Sequence, residues 1–190
     1  EATSTEGDWR MALFRNPRAL LQPLEASGAV LLDGDEVLTA GEVPSTPELR
    51  SLQRWLDPLT RDDPLHATSA LARAHPPLAS LTPMASGVLA VRLSEARPDM
   101  LVWFRKEQLH TVTWAGNPQK PMLGDDPLTL SPRHSFAAWS ELVRGTARPW
   151  TTADLALARA FGLALVDIIV QVHAVRLLVA EYQLRGIRDA

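Results

Sequence analysis

An α+β domain is expected from three features of the 190-residue chain. In GAVLLDGDEVLTAG two apolar runs flank Asp33-Gly34, a hairpin pattern; GVLAVRL and MLVWFR read as two further strands; and segments of helical spacing lie before, between and after them. Strands grouped together, with helices set apart from them, point to an antiparallel sheet with helical flanks rather than to alternating βαβ units.

From Trp9, WRMALF and PRALLQPLEAS have helical spacing broken by Pro17 and Pro23. Proline lacks the amide hydrogen that an inner helical turn uses, so two short helices are expected. Asp33-Gly34 accepts the positive φ of a tight hairpin turn. Ser45-Thr46-Pro47 supplies a cap and a first-turn proline to a helix whose Leu49, Leu52 and Leu56 share one face and which should end near Pro58. A proline-interrupted helical stretch is expected around HATSALARA, before the strands GVLAVRL and MLVWFR and their polar connection SEARPD. WTTAD opens the last helix, about 151–188: Thr151 can cap the amide three residues on and Asp154 can reach back, a capping box with Asp in place of Glu.

Two apolar stripes run along that helix. Ala158, Phe161, Leu165, Ile168, Val172, Val175, Val179 and Tyr182 alternate spacings of three and four, forming a seam of the kind that joins parallel helices. Leu163, Val166, Val170, His173 and Leu177 lie on another face. One stripe can cover the sheet while the other meets a partner helix; the plainer reading buries both within one monomer, although a surface helix needs only one apolar face.

Length favours a single domain, 1–190. The net charge of −3 is scattered, without the basic stripe that nucleic acid requires. With no cysteine, disulfides, thiolate metal sites, a cysteine nucleophile and a thioether-linked cofactor are excluded on this chain. No apolar run is expected to reach the roughly 20 residues of a membrane helix, and EATSTEGDWR lacks the regions of a signal peptide, so a cytoplasmic domain without membrane contact is expected.

Catalytic and metal chemistry find no anchor. His66, His75, His110, His134 and His173 are dispersed without ligand spacing, and G-x-S-x-G, P-loop and G-x-G-x-x-G motifs are absent. Asp62-Asp63 and Asp125-Asp126 precede prolines and read as turns. His173 heads H-A-V-R-L-L, but Ala174 stands where phospho-accepting histidines of sensor kinases are followed by an acid, no proline follows, and the imidazole falls within an apolar stripe. No catalytic or metal residue is assigned.

The stretch from Trp103 to Trp139 is too long for an ordinary connection. RKEQLHTVTW places His110, Val112 and Trp114 on one side of an extended strand, and AGNP turns the chain. On the return, Phe136, Trp139 and Val143 of FAAWSELV fit helical spacing, and its Ala, Glu and Leu favour helix, while its beginning could also pair with the outgoing strand. Such conflict between levels is expected where a segment is strained or switches.

The DG hairpin followed by GEVPS, the junction WFRKE, the turn TWAGNP, the motif SPRHSF, the triplet WSE and the entry RPWTTAD together resemble the PHY domain of phytochromes, above all the bacterial, biliverdin-using ones. The resemblance implies a GAF-like central antiparallel sheet with flanking helices, a long tongue hairpin at about 103–143, and a long C-terminal signalling helix. It implies that the tongue closes the bilin pocket of a neighbouring domain, as a hairpin in the red-absorbing state and partly helical in the far-red-absorbing state. On this basis Arg133, within Pro132 to Phe136, would pair with an aspartate beside the bilin, and Ser135 would replace it after the tongue refolds. Trp114 would pack at the interface in the first arrangement, Trp139 with Glu141 in the second. The family's W-G-G is here Trp114-Ala115-Gly116.

The implied function is that of the phytochrome-specific domain of a red/far-red photoreceptor, not itself an enzyme. No cofactor is expected on this chain alone, with biliverdin in the adjacent domain. The implied partners are a bilin-binding GAF domain of the same polypeptide, a downstream histidine-kinase-type output module, and a second copy in a parallel homodimer through Leu165, Ile168, Val172, Val175, Val179 and Tyr182. The alternative is a non-photosensory GAF-like sensor that binds a small ligand in its own sheet pocket.

Overall fold

The computed structural model describes residues 10, 12–109 and 132–188. After a helical segment at 12–15, α1 (Pro17–Leu21) runs into a 3-10 turn (Gln22–Leu24), each with a proline in its first turn. Strands β1 (Gly28–Asp33) and β2 (Glu36–Gly41) form the expected hairpin, with the turn one residue later than the sequence suggests. Asp33 pairs with Glu36, so the turn is Gly34-Asp35, and Gly34 takes the positive φ of 58°. Helix α2 (Thr46–Leu59) starts where Ser45 donates from both its amide and its hydroxyl to Glu48, and buries Leu49, Leu52 and Leu56. Strand β3 (Leu65–Thr68), α3 (Leu71–Ala74), a 3-10 turn (Pro76–Leu81) and α4 (Thr82–Ala85) precede β4 (Gly87–Arg92) and β5 (Met100–Arg105). Among the described residues beyond 109 the chain forms α5 (Pro132–Val143) and α6 (Thr152–Arg188).

The five strands form one antiparallel sheet of order β2-β1-β5-β4-β3. Its two faces bury alternate residues of the same strands. Val30, Leu32, Val88, Ala90, Met100, Val102 and Phe104 meet α2 and the segment 71–85, whereas Ala29, Leu31, Leu89, Val91, Leu101 and Trp103 meet Leu20, Leu24, Ala158 and Leu165. Covering both faces explains why these strands read as continuous apolar runs: no face is left for polar residues.

Two expectations are corrected here. His66-Ala67-Thr68, expected to be helical, belongs to edge strand β3, which pairs with β4. Four residues are too few to show a period, and the pairing with Val88–Val91 decides. The second concerns α6, whose 37 residues include an 18-residue window apolar enough, by length and composition, to cross a membrane, although almost none of it is buried. Asp167, Gln171, His173 and Arg176 break the run without lowering its average below that of a span.

Helix α6 divides along its length. Its first half lies on the sheet, where Gly162 permits close approach: a Cβ there would stand 2.4 Å from a methyl of Val91. Ala158 and Leu165 are buried, so Leu165, placed on the self-association seam by its spacing, belongs to the monomer's core at 5% exposure. Phe161 stacks edge-on against Trp103 with ring centres 5.7 Å apart. Ile168 and Val172 are half-buried, and from there the helix leaves the body, with Val175 57%, Val179 46% and Tyr182 81% exposed.

Candidate functional site at the root of the excursion

Strand β5 ends at Arg105, where the long excursion begins, and the chain returns through α5 to the start of α6. Outgoing and returning arms lie side by side at this root. The Gln108 amide donates to the Thr146 carbonyl at 2.8 Å, its side-chain amide to the Ala147 carbonyl at 3.1 Å, and the Gly145 amide to the Glu107 carboxylate at 2.7 Å. Gly145, at φ 72°, ends α5 in the left-handed conformation that glycine adopts most readily. The returning arm is tied to the far side of the sheet as well: the Ala147 amide donates to the Ser69 carbonyl at 2.7 Å and the Trp150 indole to the Thr68 carbonyl at 3.1 Å.

Arg105 lies at the centre of this junction, 5% exposed. Its Nε and Nη2 donate to the Leu24 carbonyl, its Nη1 to the carbonyls of Arg148 (3.1 Å) and Pro149 (2.9 Å), and its Nη2 to Asp154 (3.2 Å). The guanidinium lies 3.9 Å over the Trp150 ring, a favourable place for a cation. Burial pulls the Arg105 pKa down and Asp154 opposes it; an arginine remains charged throughout the ordinary range. Asp154 is pushed up by burial, but the Thr151 amide and hydroxyl and the Arg105 charge outweigh this and hold it below the usual carboxylate value. The expected capping box is formed, with the Thr151 amide donating to Asp154 at 2.8 Å and the Asp154 amide to the Thr151 hydroxyl at 3.1 Å.

Helix α5 carries most of the residues singled out in the sequence. Arg133 and Ser135 are both exposed, and two positions on a helix turn by about 200°, so they leave opposite sides. Phe136 and Trp139 are half-buried on one face, their ring centres 5.7 Å apart. Trp139 lines a cavity of about 450 Å³ with Lys106, Gln108, Arg105 and Arg148. Glu141 pairs with Arg144 at 3.3 Å and Lys106 with Glu42 at 2.6 Å. The helical preference of FAAWSELV is therefore realised. Trp114 lies outside the described residues, as does most of the outgoing arm. The sequence reading did not single out Arg105; its signal was an arginine closing an otherwise apolar strand, MLVWFR.

The sheet face opposite α6 is filled by Leu49, Leu52, Leu56, Leu71, Leu78 and Leu81 against Phe104 and Met100. A small-ligand sensor would need that packing to open.

A five-stranded antiparallel sheet covered by helices on both faces, with a long overhanging C-terminal helix, defines an α+β fold. The model of the phytochrome region matches residues 1–174. The chain is 32% identical over 170 residues to cyanobacterial phytochrome B of Nostoc sp., covering 88% of this chain and 22% of that protein. It is 35% identical over 147 residues to a bacteriophytochrome of Xanthomonas campestris, covering 74% and 23%. Among solved structures, a bacteriophytochrome from the photosynthetic bacterium R. palustris superposes with a TM-score of 0.60 at 28% identity, over 84% of this chain and 32% of that one. The chain belongs to the phytochrome-region family, a regulatory part of phytochrome photoreceptors, and spans about a fifth of the length of these curated relatives.

Proposed function

We propose that residues 1–190 are the single phytochrome-specific domain of a red/far-red photoreceptor. Its excursion, about 103–143, contacts a bilin-binding GAF domain of the same polypeptide, and its long helix, about 151–188, relays the light state to a histidine-kinase-type output module. The domain is regulatory and cytoplasmic, and biliverdin is held by the neighbouring domain; this chain has no cysteine to which a bilin could be joined by a thioether. Two copies associate in parallel through the overhanging part of α6, around Val175, Val179 and Tyr182, which also accounts for its apolar character. Docking on the bilin domain falls to Trp114, Pro132, Arg133, Ser135, Phe136, Trp139 and Glu141.

The observation that carries this reading is the junction itself: both arms of the excursion and the first turn of α6 meet at one buried point. A segment anchored in this way is suited to reporting a neighbour's state to a helix that projects from the body. Its test is absorbance spectroscopy of the bilin-binding domain with and without this chain attached. Attachment should prolong the light-generated far-red-absorbing state, and the chain alone should leave the spectrum of added biliverdin as in buffer. Identical photocycles with and without the chain, or a photoconvertible band from the chain alone, would contradict the reading.

A further inference from the structure

Arg105 stands in the junction WFRKE and was given no role by the sequence, yet more of the junction depends on it than on any other described side chain. It is the last residue of β5, paired with Gly87 of β4, so it stands where the sheet hands over to the outgoing arm. Its side chain holds the 3-10 turn at Leu24, the returning chain at Arg148 and Pro149, and the capping carboxylate of α6 at Asp154. We propose that Arg105 is the positioning residue that couples displacement of the excursion to the first turn of α6. This rests on the reading of the chain as a light-signal relay.

A buried cation cannot leave its partners without a large desolvation penalty, so groups bonded to it follow it rather than separate. The fork is planar and its donors point in fixed directions, which makes the four partners move as a set. Asp154 is bonded at once to the fork and to the Thr151 amide, so a shift of the guanidinium acts directly on the capping box of α6. The other charges nearby, Arg148 and Glu25, are paired with each other. A second feature fits a tight joint. Gly87 of β4 lies against it, and a Cβ there would stand 2.9 Å from the Arg105 Cβ and 2.8 Å from the Ala147 Cβ. The strand exit and the returning chain thus approach each other over a position where a side chain would part them.

The test uses the full-length photoreceptor, with hydrogen exchange followed at amides 132–143 and 152–158 in darkness and under red light, and absorbance recorded in parallel. In the parent protein both segments should change with light. In Arg105→Lys, which keeps the charge but loses the fork, photoconversion and the change at 132–143 should persist while the change at 152–158 is lost. Asp154→Asn removes the charge facing Arg105 but keeps an oxygen that can accept from the Thr151 amide, and should diminish the change at 152–158; it keeps the test open should Arg105→Lys fail to fold. If both variants retain the full light-induced change at 152–158, Arg105 is not the joint and the relay reading survives. If the parent protein shows no light-induced change at 132–143, the relay reading fails, and the joint with it.

Discussion

His66 stands in edge strand β3 with its ring edge-on to Trp55, 5.5 Å between centres, while His75 stacks on the same indole at 5.3 Å. Burial lowers the His66 pKa below its ordinary value. Between the unfolded value, about 6.5, and the lower folded value, the unfolded chain binds more protons, so stability is full above this window and falls as pH drops through it. The thermal midpoint should decrease on acidification from pH 7.5 to 5.5, and less so in His66→Gln; an equal decrease in both would remove His66 as the cause. Asp154 is depressed for a different reason, its charged form being favoured by Thr151 and Arg105, and its pH dependence has the same sign. Its carboxylate contributes stability above the unfolded value of about 3.9, lost as pH falls further through the folded value. Thr151→Ala, which removes the reciprocal cap, should cost about 1 kcal/mol in urea unfolding; no change would mean that Arg105 holds this turn alone. The cap was readable from TTAD because its spacing is local, whereas the role of Arg105 depends on carbonyls 43 to 81 residues away.

At the scale of elements, what could be read from sequence was what local chemistry decides. The DG hairpin, the capped α2 with its leucine face and the strands β4 and β5 were all legible, because a turn, a cap or an apolar run specifies each. Strand β3 was not, since its pairing with β4 decides a segment too short to carry a pattern. Helix α6 was legible as a helix but not in its division: seam positions continue without a break from Ala158 to Tyr182, and nothing in their spacing marks where the sheet ends beneath them. Two substitutions test that division. Gly162→Leu should force α6 from Val91, overpacking that costs about 1–3 kcal/mol, visible as a lower unfolding midpoint; an unchanged midpoint would mean the helix can shift freely. Val175→Glu with Val179→Glu should leave the fold intact by circular dichroism and reduce dimers in sedimentation, because both residues project from the body. Unfolding instead would place them in a core.

For the whole molecule, the proposed exchange of partners at α5 is the central claim. Two aspects of α5 bear on it: the segment is helical, and Arg133 and Ser135 leave it on opposite sides. In an extended arm the same two residues would share one side, so a change between strand and helix changes which of them can face a given neighbour. Arg133 would offer a charge-assisted, two-pronged bond to a carboxylate, and Ser135 a weaker neutral one. The motif that names these residues was legible in sequence; their partner was not, because the proposed reading places it in another domain. The most direct measurement is thermal reversion in darkness, followed by absorbance, in the photoreceptor carrying the bilin domain. Arg133→Ala should slow return to the red-absorbing state and Ser135→Ala should accelerate it, both with near-normal pigment binding. Unchanged kinetics in both, or shifts of the same direction and size, would contradict the account.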